Sequence, residues 1–155
     1  MEAALRTAVE TLTGEELASL DFHDVRGTKG IKEATYHVAG MDLKVAIASG
    51  LGNARTLLNQ VKNGEADYHF IEIMGCPGGC VNGGGQPQQP ASVRNFQDLR
   101  ALRAKALYEL DANNPIRKSH ENPAIQKLYE EFLGEPGSHK AHEILHTTYV
   151  KRTIN

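Results

Sequence analysis

The apolar positions near the start of the chain recur at helical spacing. Leu5, Val9 and Leu12 share one face of a segment that ends before Gly14. This pattern predicts an amphipathic helix over residues 2–11. No capping side chain precedes it, and a buried helix without a cap leaves its first amide groups without protein partners. We therefore expect that an upstream portion of the protein is missing from this chain.

The next apolar positions follow a strand pattern. Two β-rich segments, 31–38 and 42–48, flank the turn-prone pair Ala39-Gly40. This arrangement predicts a β-hairpin. A third segment, 68–74, is almost continuously apolar and is expected to form a buried strand that leads into a glycine-rich loop.

Helical spacing also occurs in four further segments, each with its own start or stop signal. The predicted helices are one capped by Asn53 and closed by Asn63-Gly64, one from Ser92 or Asn95 to about Asn113, one opened by Asn122-Pro123 and ended by Gly134, and a short one over 138–146.

The order of these elements predicts the α/β class, with a small, mostly parallel sheet that contains a hairpin and is flanked by helices. The chain has 155 residues, of which 40% are hydrophobic, and this length and composition suit one domain with its own core. We therefore interpret residues 1–155 as a single domain.

Charge and hydropathy exclude some classes of function. The formal net charge of -2 arises from 17 basic and 19 acidic side chains that are mixed along the chain, so no basic field is available to attract nucleic acid. No secretory signal and no apolar run long enough to span a membrane are visible. These features predict a soluble cytoplasmic protein.

The strongest chemical signal is the segment that contains Cys76 and Cys80. Five glycines lie in or just after it, at positions 78, 79 and 83–85, where the lack of side chains leaves room for a bulky anionic group. An iron–sulfur cluster suits this pattern, but four cysteines normally hold a cubane and only two are present. Spacing alone leaves a zinc half-site, a redox pair or buried thiols open.

A wider resemblance supports the cluster. The run Phe-Ile-Glu-Ile-Met-Gly-Cys-Pro-Gly-Gly-Cys-Val-Asn-Gly-Gly-Gly-Gln-Pro at 70–87 closely resembles the third signature motif of iron-only (FeFe) hydrogenases. Four other segments resemble the carboxy-terminal lobe of that family, in the same order. These segments are 1–6, 25–34, 117–122 and 141–146.

The resemblance implies an H-cluster, in which a 4Fe-4S cubane is joined to a two-iron unit, and the reversible reduction of protons to hydrogen. By match of motif, Cys76 would ligate the cubane, and Cys80 would ligate it and bridge to the two-iron unit. Met74 would line the two-iron pocket. The family's amino-terminal lobe, which supplies the other cubane cysteines, is absent from this chain.

Because the family's amino-terminal lobe is absent from this chain, the resemblance implies a partner. We expect the missing lobe to come from another chain or a longer one, and electrons to come from a ferredoxin or an NAD(P)H-linked protein. The lone chain is expected to be inactive and unable to assemble the complete cluster.

Two alternatives stay open for the cysteine motif. The nuclear prelamin A recognition factor group has a similar cysteine and glycine motif but serves iron–sulfur assembly. A zinc-binding module would use Cys76 and Cys80, or the terminal histidines. His142 and His146 match H-E-x-x-H, although packing of a terminal helix is the more common role of such residues.

Weaker signals have ordinary structural explanations. The turn at 49–53 resembles a phosphate-binding loop but lacks a third glycine, so a tight connection is favoured. His120 and Glu121 could carry protons, but capping or packing is the more common role. A modest basic patch could guide an acidic electron-transfer partner, although solvated charges are the default. The patch consists of Arg94, Arg100, Arg103 and Lys105.

Overall fold

A computed structural model describes residues 1–151 and 153. The chain forms two compact units, Met1–Arg117 and Lys118–Asn155. Compactness by itself does not define a domain, so the interpretation of residues 1–155 as a single domain stays a prediction. None of the helices among the described residues is both long enough and apolar enough to cross a bilayer.

The helices and strands of the first unit alternate along the chain, which confirms the predicted α/β class. In chain order they are α1 (Glu2–Thr13), β1 (Ile31–Val38), β2 (Met41–Ser49), α2 (Leu51–Lys62), β3 (Phe70–Met74), α3 (Ala91–Arg94) and α4 (Leu99–Asn113).

The three strands form one sheet in the order β1-β2-β3. β1 and β2 pair antiparallel as the predicted hairpin, and Ala39 and Gly40 both have positive φ, of 51° and 76°, as a tight two-residue hairpin turn requires. β3 pairs parallel with β2, so that Ser49 lies opposite Met74. The sheet therefore combines one antiparallel pair with one parallel pair.

β2 forms the centre of the core because helices cover both of its faces. Leu43, Val45 and Ile47 pack with Leu5 and Val9 of α1. The alternate β2 side chains, those of Ala46 and Ala48, pack with α2 through Ala54 and Leu57 on the opposite face. The core of this unit thus consists of two apolar layers with β2 between them.

The connection from β2 to α2 corrects one prediction. The helix begins at Leu51 after an N-cap at Gly50, so Asn53 lies inside the helix and is not its cap. The Asn53 amide instead donates from Nδ2 to the carbonyl oxygen of Ser49, 2.7 Å away. Gly50 has a φ of 84°, and its backbone N–H donates to the carbonyl oxygen of Met74. The turn at 49–53 is therefore a tight connection, as favoured.

The region before Asn113 also differs from the prediction of one helix that starts at Ser92 or Asn95. The structure has the short helix α3 and, separately, α4, which begins at Leu99. Asp98 caps α4, because its carboxylate accepts hydrogen bonds from the backbone N–H groups of Arg100 and Ala101.

An ionic network that the sequence does not predict joins α1 to the end of α4. Arg6 is 3% exposed, and its two terminal nitrogens each donate to Asp111 at 2.8 Å. Arg117 donates to both Asp111 and Asp21 at 2.7 Å. The hydrogen bond from Arg6, with a second from Arg117, holds the pKa of Asp111 well below its usual range, although partial burial acts in the opposite direction.

The network continues toward the start of α1. Arg26 pairs with Glu2 at 2.8 Å and with Asp21 at 2.7 Å. Three arginines and three carboxylates thus connect segments that are far apart in sequence.

The second unit contains α5 (Pro123–Leu128), a π-helical turn (Tyr129–Leu133) and α6 (His139–Leu145). Asn122 caps α5 as predicted, since its side chain accepts a hydrogen bond from the N–H of Ala124. Gly134 ends the helical segment with a φ of 82°. Ser138 caps α6 by accepting a hydrogen bond from the N–H of Ala141. The two predicted helices of this unit are confirmed.

Candidate functional site

The cysteine loop, defined here as residues 75–87, leaves the end of β3 and folds through consecutive tight turns. The N–H of Gly79 donates to the carbonyl oxygen of Cys76 at 2.9 Å, which closes the first turn. A single 3₁₀ turn, Cys80–Asn82, follows, and the N–H of Gly83 donates to the carbonyl oxygen of Cys80 at 3.0 Å. Both cysteines therefore lie at turn positions of one compact backbone.

Two glycines in this loop have conformations that other residues rarely adopt. The φ angles of Gly78 and Gly79 are 81° and 89°. A Cβ on Gly78 would lie 2.9 Å from Cδ of Arg100, and one on Gly79 would lie 3.3 Å from Sδ of Met74. The backbone angle therefore favours glycine at both positions, and a larger residue would also displace the flexible side chain of Arg100 or Met74. By contrast, nothing lies within 4 Å of a Cβ built on Gly75, Gly84 or Gly85.

Both thiols of the loop are free. Cys76 is half-buried and Cys80 is exposed. A Cβ on Gly83 would lie 3.2 Å from the carbonyl oxygen of Cys80, a tight approach, and 3.9 Å from Sγ of Cys76, an ordinary contact. The structure thus places the two predicted ligands on one loop with little side-chain bulk around them.

A cavity of 290 Å³ opens beside the loop. Its loop side is formed by Gly78, Gly79, Cys80 and Val81. The remaining walls come from β3 and the elements around its end, namely Met1, Glu2, Val25, Gly27, Lys32, Ile47, Glu72, Met74, Ala104, Leu107 and Tyr108. The structure therefore places two of the predicted site residues, Met74 and Cys80, at one cavity. The cysteine loop forms part of the wall of that cavity.

Three charged side chains line this cavity, those of Glu2, Lys32 and Glu72. Lys32 is only 8% exposed and donates from Nζ to the carbonyl oxygen of Gly27 at 2.9 Å. Burial lowers the pKa of Lys32, while the negative charges of Glu72 and Glu2 act in the opposite direction. No sequence signal marks Lys32, since it occupies an ordinary strand position in β1.

Two arginines of α4 contact the cysteine loop. Arg103 donates from Nη1 to the carbonyl oxygen of Val81 at 3.3 Å and from Nη2 to that of Pro87 at 2.7 Å. Arg100 lies over Gly78. The predicted basic patch is therefore divided, because these two arginines contact the loop while Lys105 is 73% exposed and pairs with Glu109.

The donor set fits part of an iron–sulfur site. Within the described part of the chain, no third cysteine, histidine or carboxylate lies close enough to Cys76 and Cys80 to complete a metal-binding group of three. Two free thiols on a loop with two positive-φ glycines suit a large anionic group that takes further ligands from elsewhere.

The H-E-x-x-H motif has a different environment. His142 and His146 lie on and just after α6 with their Nδ1 atoms 3.2 Å apart, and both side chains are exposed. Among the described residues, no third ligand lies close enough to complete a three-ligand site with them. Glu121 pairs with Lys118 at 2.8 Å, while the proton-carrying role of His120 and Glu121 stays a prediction.

Comparison with protein-family models gives two matches that divide the chain. Residues 1–84 match the model described as "Iron only hydrogenase large subunit, C-terminal domain". Residues 97–152 match the model described as "Iron hydrogenase small subunit". The boundary between the two matches falls just after the cysteines and before α4.

Curated relatives extend the same similarity. The chain is 52% identical over 152 residues to the NADP-reducing hydrogenase subunit HndD of Solidesulfovibrio fructosivorans, covering 98% of this chain and 25% of that protein. It is 34% identical over 145 residues to the nuclear prelamin A recognition factor of Homo sapiens, covering 93% of this chain and 30% of that protein. The chain thus spans between a quarter and a third of the length of these relatives.

A solved structure has the same fold. A variant of the FeFe-hydrogenase HydA1 from Chlamydomonas reinhardtii superposes with a TM-score of 0.72 at 41% sequence identity. The superposition covers 97% of this chain and 44% of that one. The similarity therefore includes both compact units, each of which contributes residues to the matched length.

Proposed function

Because the chain belongs to the iron-only hydrogenase large-subunit family, we propose that it is part of an iron-only hydrogenase and supplies two thiolate ligands to its H-cluster. When bound, this group supplies the redox chemistry that combines protons and electrons into hydrogen. The reversible reaction is then a property of the complete protein, of which this chain forms about a quarter by comparison with HndD.

The observation that carries the proposal is that two free thiols and two positive-φ glycines lie on the same loop. Cys76 and Cys80 lie on one compact loop, and Gly78 and Gly79 keep that loop clear of side chains on the side of the cavity. Thiolates are the usual protein ligands of iron–sulfur clusters, and glycine backbone lets a bulky cluster approach closely.

We assign distinct roles to the three predicted site residues. Cys76 would hold the cubane through its thiolate, and Cys80 would hold both the cubane and the two-iron unit. Met74 packs against Gly79 and lines the cavity with its thioether, which excludes water from that wall. Lys32 holds its ammonium group at the same cavity.

The rest of the site must come from elsewhere. A cubane normally takes four cysteines and this chain contains two, so the lone chain is proposed to lack hydrogenase activity. Its proposed partners are an amino-terminal hydrogenase lobe and a ferredoxin or NAD(P)H-linked electron donor. A cytoplasmic location stays part of the proposal.

The second candidate function is iron–sulfur assembly. It is favoured by the 34% identity to the nuclear prelamin A recognition factor, which covers nearly the whole chain. In that case the same two thiols would hold a cluster without hydrogen turnover. A zinc-binding module is the third possibility and differs in the metal bound.

The test is anaerobic reconstitution with iron and sulfide, with and without the amino-terminal lobe of an HndD-type hydrogenase supplied in trans. Readouts are iron and zinc content, electron paramagnetic resonance, and hydrogen evolution after loading of the two-iron unit. We expect iron binding and activity only in the complemented sample, with both lost in Cys80→Ser. His142→Ala is the control and should behave like the wild type.

Each alternative has its own outcome. Iron binding without hydrogen evolution would favour the assembly function. Stoichiometric zinc and no iron in the complemented sample would overturn the cluster assignment. Stable cubane formation by the lone chain would contradict the argument from two ligands.

A further inference from the structure

Arg103 contacts the cysteine loop at two points on either side of its glycine-rich end. Its guanidinium donates to the carbonyl oxygens of Val81 and Pro87, which follow Cys80 by one and seven residues. A planar guanidinium presents several donors in a fixed fork, so it can hold two acceptors at a set separation. The two hydrogen bonds therefore tie both ends of the segment from Val81 to Pro87 to one side chain.

A second arginine of the same helix contacts the first half of the loop. Arg100 and Arg103 are three residues apart in α4 and so lie on the same helix face. The aliphatic part of Arg100 approaches Gly78 so closely that a Cβ there would lie 2.9 Å from its Cδ. One face of α4 therefore contacts the loop both before and after Cys80.

We propose that Arg103 is a positioning residue for the iron site, which fixes the backbone around Cys80 so that its thiolate is held ready for the cluster. Arg103 acts through the loop and not on the reacting atoms. This inference rests on the proposed function, because it assigns a role toward the same cluster.

The placement of Arg103 also links the two regions that the family models match separately. The cysteines lie within residues 1–84, whereas α4 lies within residues 97–152. The region that resembles a hydrogenase small subunit thus contributes a residue to the cysteine loop.

The neighbouring cations of the predicted basic patch provide a contrast. Lys105 lies on the same helix but is 73% exposed and pairs only loosely with Glu109, at 3.7 Å. Its removal leaves the contacts of the loop unchanged, which makes Lys105→Ala a matched control for charge on α4.

The first arm of the experiment measures amide hydrogen exchange in the isolated full chain. In Arg103→Ala, we expect exchange in residues 76–87 to become at least about tenfold faster, while β2 amides keep their wild-type rates. Alanine is a strong helix former, so α4 itself should persist. Lys105→Ala should leave the loop unchanged. Wild-type exchange in the Arg103→Ala loop would overturn the proposal.

The second arm uses the chain complemented with the amino-terminal lobe and reconstituted with iron and sulfide. We expect Arg103→Ala to retain less iron and to shift the electron paramagnetic resonance signature of the cluster. Arg103→Lys keeps the charge but lacks the fork, so it should rescue the loop and the spectrum only in part. Full rescue by lysine, or an unchanged spectrum in Arg103→Ala, would overturn the positioning role.

The two arms separate failure of this inference from failure of the proposed function. If the wild-type complex binds no iron, the proposed function fails, while the exchange arm still reports whether Arg103 orders the loop. If Arg103→Ala accelerates exchange equally in the loop and β2, the arginine has a general structural role, and the inference is overturned.

Discussion

β2 and β3 are neighbouring parallel strands with similarly apolar sequences, yet they differ sharply in burial. The β2 residues from Val45 to Ala48 are at most 1% exposed. In β3, Phe70 and Ile73 are 47% and 45% exposed. The prediction of a buried strand over 68–74 is therefore wrong for this chain, and the strand begins at Phe70.

The difference follows from their places in the sheet. β2 lies between two strands and is covered by α1 on one face and α2 on the other. β3 is at the edge of the described sheet, where these two helices cover only part of its surface. The core is therefore centred on β2, whereas the cysteine loop follows directly from β3. Stability and the candidate chemistry thus depend on different strands.

The largest expected effect comes from removing side chain from the buried strand. Ile47→Ala should lower the free energy of unfolding by about 2–5 kcal/mol, because a fully buried isoleucine leaves a cavity when truncated. Ile73→Ala is the matched control in β3 and should cost less than about 1 kcal/mol. Urea denaturation followed by circular dichroism measures both. Equal losses would show that β3 is as well packed as β2.

The ionic network that anchors α1 over β2 should give the next largest effect. Arg6→Ala removes the buried partner of Asp111 and should cost about 2–3 kcal/mol, a discounted value because Asp111 is 31% exposed. The same urea experiment measures this loss. Arg55→Ala on the exposed surface of α2 is the control and should change stability by less than about 0.5 kcal/mol. A loss as small as that of the control would contradict a structural role for the network.

The same network should make stability depend on pH. The pKa values of Asp111 and Asp21 are lowered in the folded chain below the ordinary value of 3.8. Their stabilisation is therefore fully present above that value and is lost as the pH falls through the lowered pKa values. We expect the urea concentration at the unfolding midpoint to decrease as the pH is lowered below about 4. In Asp111→Asn, the urea midpoint should depend less on pH in this acid range. The same pH dependence as in the wild type would contradict the assignment.

The smallest predicted effect concerns the helix that packs on the cysteine loop. Asp98→Ala removes the cap of α4 and should cost about 1 kcal/mol or less, since the cap is exposed. Asp98→Asn retains a capping oxygen and should recover most of the loss. Thermal unfolding of the two variants checks this ranking. If Asp98→Ala lost more stability than Arg6→Ala, the predicted ranking of the ionic network above the helix cap would be wrong.

The local elements were predictable because their signals are short in range. The hairpin turn, the end of α1 at Gly14, the caps at Asn122 and Ser138 and the stop at Gly134 depend on residues within a few positions of one another. The prediction that Asn53 is the N-cap of α2 is wrong because an asparagine just before an apolar helix face resembles a cap in sequence. In the structure Gly50 has the backbone angle that starts α2 earlier.

The candidate site was predictable in part. The motif itself identified Met74, Cys76 and Cys80, and their closeness in sequence places Met74 at the end of β3 and both cysteines on the loop that follows. The roles of Arg103 and Lys32 were not predictable, because their partners are carbonyl oxygens of other segments and no residue type marks a carbonyl acceptor.

The sequence by itself determined the hairpin, the α/β class, the cysteine loop and the approximate places of the helices, though not the start of α2 or the break between α3 and α4. Periodicity, turn residues and motif spacing all act over short stretches of chain. Only the tertiary structure decided which apolar strand is covered, how Arg6 finds Asp111 across 105 residues, and which arginines of α4 contact the loop. Burial and ion pairing depend on the three-dimensional approach of distant segments, which local pattern does not encode.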